Sequence, residues 1–395
     1  MIIEPRVRGF LCTTTHPIGC ARNVRQQIDY VQSHGPIAKG PKQALILGCS
    51  AGFGLATRIT AAFGSKAKTL GVAFERPAER GRQASPGWYN SQAFDAEAQK
   101  AGLYAKTIMG DAFSDAVKNE VYQTLTDEVG PIDLLVYSLA SPRRTRPQDG
   151  ITYKSTLKTI GQPHTGKTLE FNTGVVSLYS LEPANEEEIA HTAMVMGGED
   201  WSMWVDGLLE RGLLAPGATV VAYSYIGPVI TQTIYRNGTI GRAKDHLERT
   251  AKEIDAKLAA APGVQGRAFV SVNKALVTQA SSAIPYMPLY ISLLYKVMKE
   301  KKCHEGCIEQ IDRLFRDKLF GVSEVPVDAE GRIRVDDWEM RPDVQSAVEA
   351  LWEKVTTENV AELSDLEGYR GEFLKLYGFK VEGVDYAADV PESAL

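Results

Sequence analysis

The sequence predicts an α/β fold, a doubly wound parallel sheet, on three observations. Short apolar, β-branched runs alternate with helical patterns along most of the chain. One strand, loop, helix, strand unit over residues 43–75 carries a glycine-rich loop between its first strand and its helix. No linker, internal repeat or low-complexity tract interrupts the series. About seven strands are expected, and parallel strands need helical crossovers, so one sheet with additions is expected rather than two domains.

Composition narrows the partners. The 395 residues are 44% hydrophobic and 24% charged, with a net charge of −5. That balance gives no ground for a nucleic-acid or anionic-membrane partner. No apolar run approaches the roughly 18 residues of a membrane span. Met1-Ile2-Ile3-Glu4-Pro5-Arg6 has no basic segment followed by an apolar core, so no secretory signal is expected. Five scattered cysteines, Cys12, Cys20, Cys49, Cys303 and Cys307, suit a reducing cytoplasm better than a disulfide framework. Cys303-His304-Glu305-Gly306-Cys307 offers donors but no second cluster, and reads as a helix start more than a metal site.

Residues 1–40 form an N-terminal extension, with an edge strand expected over 2–7 and a helix over 23–33. The strand 43–47 opens the core unit. Gly48-Cys49-Ser50-Ala51-Gly52-Phe53-Gly54 follows, then a helix over 55–63 and a strand over 69–74 closed by Glu75. Glycines in such a loop let backbone amides and a helix N-terminus approach a pyrophosphate, which makes this a Rossmann-type, dinucleotide-binding unit. Glu75 can accept from a ribose and would repel a 2′-phosphate, favouring NADH; Arg76 and Arg80 pull the other way. Trp88 and Tyr89, in the loop and helix over 84–102, read as packing. After a third strand, 105–110, Asp111 faces an adenine amino group or caps the helix at 117–129. A fourth strand, 132–137, opens into Ser138-Leu139-Ala140-Ser141, small enough for ribose and nicotinamide to lie on backbone.

Residues 143–185 break the rhythm and read as an inserted β-rich hairpin over the site. Arg143, Arg144 and Arg146 there form a solvated face or an anion contact. Helix resumes over 186–214, with Trp201 and Trp204 spaced for the core. The strand 219–222 leads through Tyr225 and Gly227 to Tyr235 and Lys244, ahead of a helix over 245–261. A phenol can give a proton, and a nearby ammonium can lower its pKa and bind hydroxyls. On one straight helix, steps of about 100° would put Tyr235 and Lys244 on opposite faces. Asn237-Gly238 and Gly241 are therefore expected to break it, leaving Tyr235 on a turn and Lys244 in the first turns of the next helix.

The strand 266–272 runs into Asn273-Lys274-Ala275, whose backbone would frame a nicotinamide carboxamide. Residues 284–298, with Tyr286, Met287, Leu289, Tyr290 and Tyr295, are core or the mobile wall of an acyl tunnel, and 284–320 are expected as substrate-pocket helices. Lys299, Lys301 and Lys302 mark a solvated helix end or a contact for a phosphate or an acidic carrier. The C-terminal extension, 321–395, holds a strand at 332–335 and helices at 343–357 and 359–377.

These motifs resemble the FabV-type trans-2-enoyl reductases, relatives of the short-chain dehydrogenases, over nearly the whole chain. The resemblance rests on the glycine loop, on Ser224-Tyr225-Ile226-Gly227, and on Tyr235 and Lys244 with eight residues between them. Gln279-Ala280-Ser281-Ser282-Ala283-Ile284-Pro285 and His304-Glu305-Gly306-Cys307-Ile308-Glu309-Gln310 extend it. It implies that Tyr235 is the catalytic acid, that Lys244 binds the nicotinamide ribose and that Tyr225 contacts the thioester. It places NADH against Gly48, Cys49, Ser50, Ala51, Gly52, Phe53, Phe74, Glu75, Asp111, Ala112, Leu139, Ala140, Asn273, Lys274 and Ala275, with no metal. The implied reaction is NADH-dependent reduction of the trans-2 double bond of an enoyl thioester of acyl carrier protein or coenzyme A. The implied enzyme is a cytoplasmic monomer that meets the carrier protein transiently. The rival readings are a carbonyl-reducing short-chain dehydrogenase and a non-catalytic NAD(H) sensor.

Overall fold

A computed structural model describes residues 2–79 and 83–391; Arg80 lies outside the described residues. The N-terminal extension differs from expectation at both of its elements. Gly9, at φ +57, turns the chain back at once, so β1 (Val7–Arg8) pairs antiparallel with β2 (Leu11–Cys12), and of the expected strand over 2–7 only Val7 is in one. Helix α1 (Pro17–Ser33) starts ahead of residue 23. The His16 imidazole accepts the Gly19 amide as N-cap, and Pro17 at the first position has no N–H to leave unpaired.

The expected core unit is present as β3 (Gln43–Leu47), α2 (Gly52–Ile59), β4 (Lys68–Ala73), α3 (Pro86–Lys100), β5 (Ala105–Met109), α4 (Asp115–Thr124) and β6 (Ile132–Tyr137). Helices α2 and α4 each end in a wider π turn, over Thr60–Gly64 and Leu125–Val129. Ser114, not Asp111, caps α4, through the Val117 amide. The inserted segment is two antiparallel ribbons rather than one: β7 (Arg143–Thr145) with β8 (Thr152–Lys154), and β9 (His164–Glu170) with β10 (Val175–Leu181). Gly197-Gly198 splits the next helical stretch into α5 (Glu186–Met196) and α6 (Glu199–Glu210).

The second half runs β11 (Leu214–Ser224), α7 (Val229–Gln232), α8 (Thr239–Ala260), β12 (Arg267–Val272), α9 (Gln279–Ser282), α10 (Met287–Glu300) and α11 (Cys307–Arg313). Cys307 thus opens a helix, with Gly306 as its cap. The C-terminal extension adds β13 (Ile333–Arg334), α12 (Pro342–Lys354), α13 (Val360–Leu363) and α14 (Leu366–Lys375). The single helix expected over 359–377 is divided at Ser364-Asp365, where the Asp365 carboxylate caps α14 through the Gly368 amide.

Seven strands form one parallel sheet in the order β13-β12-β11-β6-β3-β4-β5. Strand order reverses between β3 and β6, which opens a crevice at their carboxyl ends. Leu47 lies opposite Tyr137, so the glycine loop and Ser138 leave the sheet side by side. Alternation decides the two faces. Ala44, Ile46, Leu134 and Val136 pack towards α1 and α2, while Leu45, Leu47, Leu135 and Tyr137 pack towards Trp201 and Trp204, both fully buried as expected.

A third apolar cluster joins α10, α12 and α14 with Leu169 and Phe171 of the second ribbon segment. Every residue from Met287 to Tyr295 is buried, so this stretch packs as core. At about 1.5–3 kcal/mol for each large apolar side chain, α10 is what fastens the C-terminal extension to the sheet. Lys299 and Lys301, at its end, pair with Asp365 (2.6 Å) and Asp343 (3.0 Å).

Candidate active site

The glycine loop is tight because two carbonyls lie where side chains would go. Gly48 takes φ +84, and a Cβ there would come within 2.2 Å of the Ser138 carbonyl oxygen. A Cβ on Gly54 would come within 1.8 Å of the Gly48 carbonyl oxygen. The segment from Gly48 through Cys49, Ser50, Ala51, Gly52 and Phe53 is thereby folded against the end of β6. Ala51 is the N-cap of α2 and has no side-chain acceptor, so the first amides of α2 stay open to an anion.

At the far end of the crevice, the Ser50 hydroxyl donates to Glu75 Oε1 at 2.6 Å. A Cβ on Gly87 would sit 2.0 Å from that oxygen, and the Asn90 amide donates to the Ser50 carbonyl at 3.0 Å. Phe74 beside them is 78% exposed. Arg76 donates to the Gln83 carbonyl at 2.9 Å, which turns it to its own loop and removes half of the objection to Glu75 as a ribose acceptor. Gly87 and Asn90 were not legible as site residues, since Glu75 and Ser50, which they meet, lie on other elements.

Asp111 accepts the Phe113 amide at 3.0 Å, which shapes the turn after β5. The buried Lys118 ammonium grips that turn from below, donating to the carbonyls of Ala112 (3.1 Å) and Phe113 (3.0 Å) and to Asp200 Oδ1 (2.7 Å). Tyr137 donates to the other Asp200 oxygen at 3.2 Å. Arg144 corrects the expectation of a solvated or anion-binding face. It is 1% exposed and donates to Glu199 (2.7 Å) and the Met194 carbonyl (2.8 Å). Arg143 is exposed, and Arg146 pairs with Asp149 and Glu199. Leu139, half-buried, and Ala140, exposed, continue from β6 along the crevice floor.

The expected break between the tyrosine and the lysine is present. Helix α7 ends at Gln232, Tyr235 lies on the following turn, and Lys244 is in the second turn of α8. The Gly238 amide donates to the Tyr235 carbonyl at 3.1 Å and closes the turn. A Cβ on Gly238 would come within 2.7 Å of the Ile234 carbonyl oxygen, and one on Gly241 within 2.0 Å of that of Arg236. The turn therefore requires both glycines.

The electrostatics depart from expectation. Burial, then the Glu339 carboxylate, pushes the Tyr235 phenol up, the reverse of the lowering that a close ammonium would give. Burial pulls Lys244 down to about 8, against the charge of Glu248. Among the described residues Lys244 has no hydrogen bond or ion pair, because Glu248 is held by Arg236 (2.9 Å) and Arg332 (3.3 Å). Tyr235 is 7% exposed, and its hydroxyl has no partner among the described residues. The Tyr225 ring meets the Tyr235 ring edge-on at 4.8 Å between centroids.

Tyr225 is placed differently: its hydroxyl donates to Glu339 Oε1 at 3.1 Å. Tyr290 donates to the same oxygen at 2.7 Å, and the Ala275 amide to Oε2 at 2.7 Å. The remaining amides after β12 are also taken, Asn273 by the Ser224 carbonyl (2.9 Å) and Lys274 by Gln310 (3.0 Å). Backbone N–H groups of 273–275 are thus not free to frame a carboxamide. Two buried polar groups beside them are: Asn273 Nδ2 and Ser224 Oγ lack partners among the described residues. Unpaired polar atoms at two adjacent strand ends fit an amide-bearing ring in the crevice. Lys274, 2% exposed, donates to the Ala275 carbonyl at 3.0 Å, and burial pulls it down to about 8. Glu339 escaped the sequence reading; its one signal is a carboxylate set between Trp338 and Met340.

Three family models match consecutive segments: an NAD(P)H binding domain of trans-2-enoyl-CoA reductase over residues 2–80, a trans-2-enoyl-CoA reductase catalytic region over 82–320, and an enoyl reductase FAD binding domain over 327–390. A curated relative from Flavobacterium johnsoniae, enoyl-[acyl-carrier-protein] reductase [NADH], is 61% identical over 99% of this chain and 98% of its own. One of the same name from Cytophaga hutchinsonii is 60% identical over 100% and 98%. The crystal structure of Treponema denticola trans-2-enoyl-CoA reductase in complex with NAD superimposes with TM-score 0.95, at 52% identity over 99% of this chain and 98% of that one. Within residues 327–390, the loop between the strand and the first helix does not fit a flavin pyrophosphate. The loop from β13 to α12 has no glycine and carries Asp336, Asp337 and Glu339 where a pyrophosphate would need amides and cations. The Gly48 loop, the open amides of α2 and the unpaired groups at Ser224 and Asn273 do fit a nicotinamide dinucleotide.

Proposed function

The chain belongs to the trans-2-enoyl-CoA reductase family, and from that premise we propose how its residues run the reaction. It is an NADH-dependent oxidoreductase that reduces the trans-2 double bond of enoyl thioesters in fatty-acid synthesis. When bound, NADH supplies a hydride to the β-carbon; the protein supplies binding, orientation and the proton. The α2 amides take the pyrophosphate, and Glu75, oriented by Ser50, takes the adenosine ribose. Asp111, Ala112, Leu139 and Ala140 line the way between, and Lys244 donates to the nicotinamide ribose hydroxyls. Asn273 Nδ2 and Ser224 Oγ hold the carboxamide.

The proton comes from Tyr235. As the double bond is reduced, negative charge moves to the thioester oxygen, where a phenol can stabilise the enolate and supply the proton that completes the saturated thioester. The observation that carries this is the free Tyr235 hydroxyl beside a Tyr225 whose hydroxyl already donates a hydrogen bond to Glu339. Tyr225 then contacts the thioester through its ring edge and oxygen.

Coenzyme A and acyl-carrier-protein thioesters share the reacting group, and we assign the carrier protein as a transient partner. Helix α5 lies along α8 and covers it, which supports a monomer, and five free cysteines support a reducing compartment. Strand β13 completes the sheet beside β12, which supports reading residues 1–395 as one reductase unit with additions. Mixing the protein with NADH and crotonyl-CoA tests the activity: the nicotinamide absorbance falls. Constant absorbance with short and long enoyl thioesters alike contradicts it.

A further inference from the structure

Glu339 is the point at which the C-terminal extension enters the site. It is fully buried on the loop between β13 and α12. Its two oxygens collect a phenol from the loop after β11, a phenol from α10 and a backbone amide from the loop after β12. Gln345 of α12 closes the group, its amide donating to the Glu339 carbonyl (2.6 Å) and to the Tyr290 hydroxyl (3.2 Å). Among the described residues no cation pairs with this carboxylate. A buried acid without a paired cation costs stability, so packing alone does not account for it. A carboxylate can only accept, and that decides which way the two tyrosine hydrogens point.

We infer that Glu339 is a positioning residue that selects the proton donor: by accepting the Tyr225 hydrogen it leaves that of Tyr235 free for the substrate. It also holds Ala275, and with it the end of β12, in register with Tyr225. This rests on the reductase assignment only for its kinetic readout. Glu339 has no contact with the reacting atoms; it acts through Tyr225.

A double-mutant cycle on the full-length chain tests it, with NADH and crotonyl-CoA as substrates. Glu339→Gln is expected to lower kcat/KM by about tenfold with Tyr225 present, and by less than about twofold in a Tyr225→Phe background, because coupled residues are not additive. Equal losses in both backgrounds, or none in either, overturn the inference, since a purely structural role adds. Should Glu339→Gln fail to fold, Glu339→Asp, which keeps the charge but draws the carboxylate back from Tyr225, enters the same cycle with the same two outcomes. A second readout does not need turnover. The infrared carboxylate band that disappears in Glu339→Gln, or failing that the corresponding band perturbed by Tyr290→Phe, is expected to shift in Tyr225→Phe. A band unmoved by Tyr225→Phe overturns the inference, whereas absence of NADH oxidation by the unaltered protein, with the shift present, overturns the reductase reading alone.

Discussion

Asp200 and Glu339 are both buried carboxylates that accept a tyrosine hydroxyl, and they are built for different ends. Asp200 lies under β6 with Lys118 at 2.7 Å, Arg144 at 3.9 Å and Tyr137 at 3.2 Å. Glu339 lies beside β12 with two phenols and one amide, and no ion pair among the described residues. Burial pushes both carboxyls up. The charge and hydrogen bond of Lys118 oppose it at Asp200, and the more distant charge of Lys274 opposes it at Glu339. The first cluster ties the Ala112–Phe113 turn, β6, β7 and α6 into a scaffold under the cofactor crevice. The second joins only groups at the reacting end. Full ionic pairing fixes backbone; neutral donors around an acid fix where hydrogens point.

Breaking the scaffold should give the largest effect. Lys118→Met leaves Asp200 without its close cation and should cost about 3–5 kcal/mol of stability, read by urea unfolding, because a buried charge loses its partner. Turnover per folded molecule should stay within about twofold if the network only supports the crevice. A loss under about 1 kcal/mol would place Asp200 and Glu339 in the same class.

Lys274→Met should act in the opposite sense. Its ammonium is itself disfavoured by burial, so stability should change by less than about 1 kcal/mol. Its positive charge favours ionised Glu339, so without it the Glu339 carboxyl rises further. The acid limb of the kcat/KM profile should then move to higher pH. An unmoved limb would detach Glu339 from the rate.

A smaller effect lies in stability against pH. Lys244 and Lys274 are pulled from 10.5 to about 8 in the fold. Between about pH 8 and 10 the unfolded chain keeps these protons while the fold sheds them, so these two groups make stability rise with pH in that window. Thermal unfolding at pH 7.5 and 9.5 should show the rise, and Lys274→Met should flatten it. A rise unchanged in that variant would assign it to other groups.

The cofactor half was legible because its signals are local. Glycine spacing, the apolar runs of β3 and β4, and the acid after β4 all act within one supersecondary unit. The break between Tyr235 and Lys244 was legible for the same reason, since Gly238 and Gly241 lie between them. What escaped depends on partners far along the chain. Arg144 reads as surface until Met194 and Glu199 fold over it, and Glu339 reads as a loop acid until Tyr225, Ala275 and Tyr290 converge on it. Residues 284–298 read equally as wall or core, because apolar content does not tell a lining helix from one wrapped by α12 and α14. Asp111 was weighed as a helix cap, yet Ser114, three residues on, is the one whose hydroxyl reaches the helix amide.

In the proposed mechanism the unpartnered phenol of Tyr235, and not the committed phenol of Tyr225, gives the proton. It is tested most directly by the turnover of Tyr235→Phe with NADH and crotonyl-CoA, alongside NADH binding read from nicotinamide fluorescence. The expected result is a fall in kcat of about 10²–10⁴-fold, the usual worth of a positioned general acid, with NADH affinity kept. Turnover equal to that of the unaltered chain would contradict it.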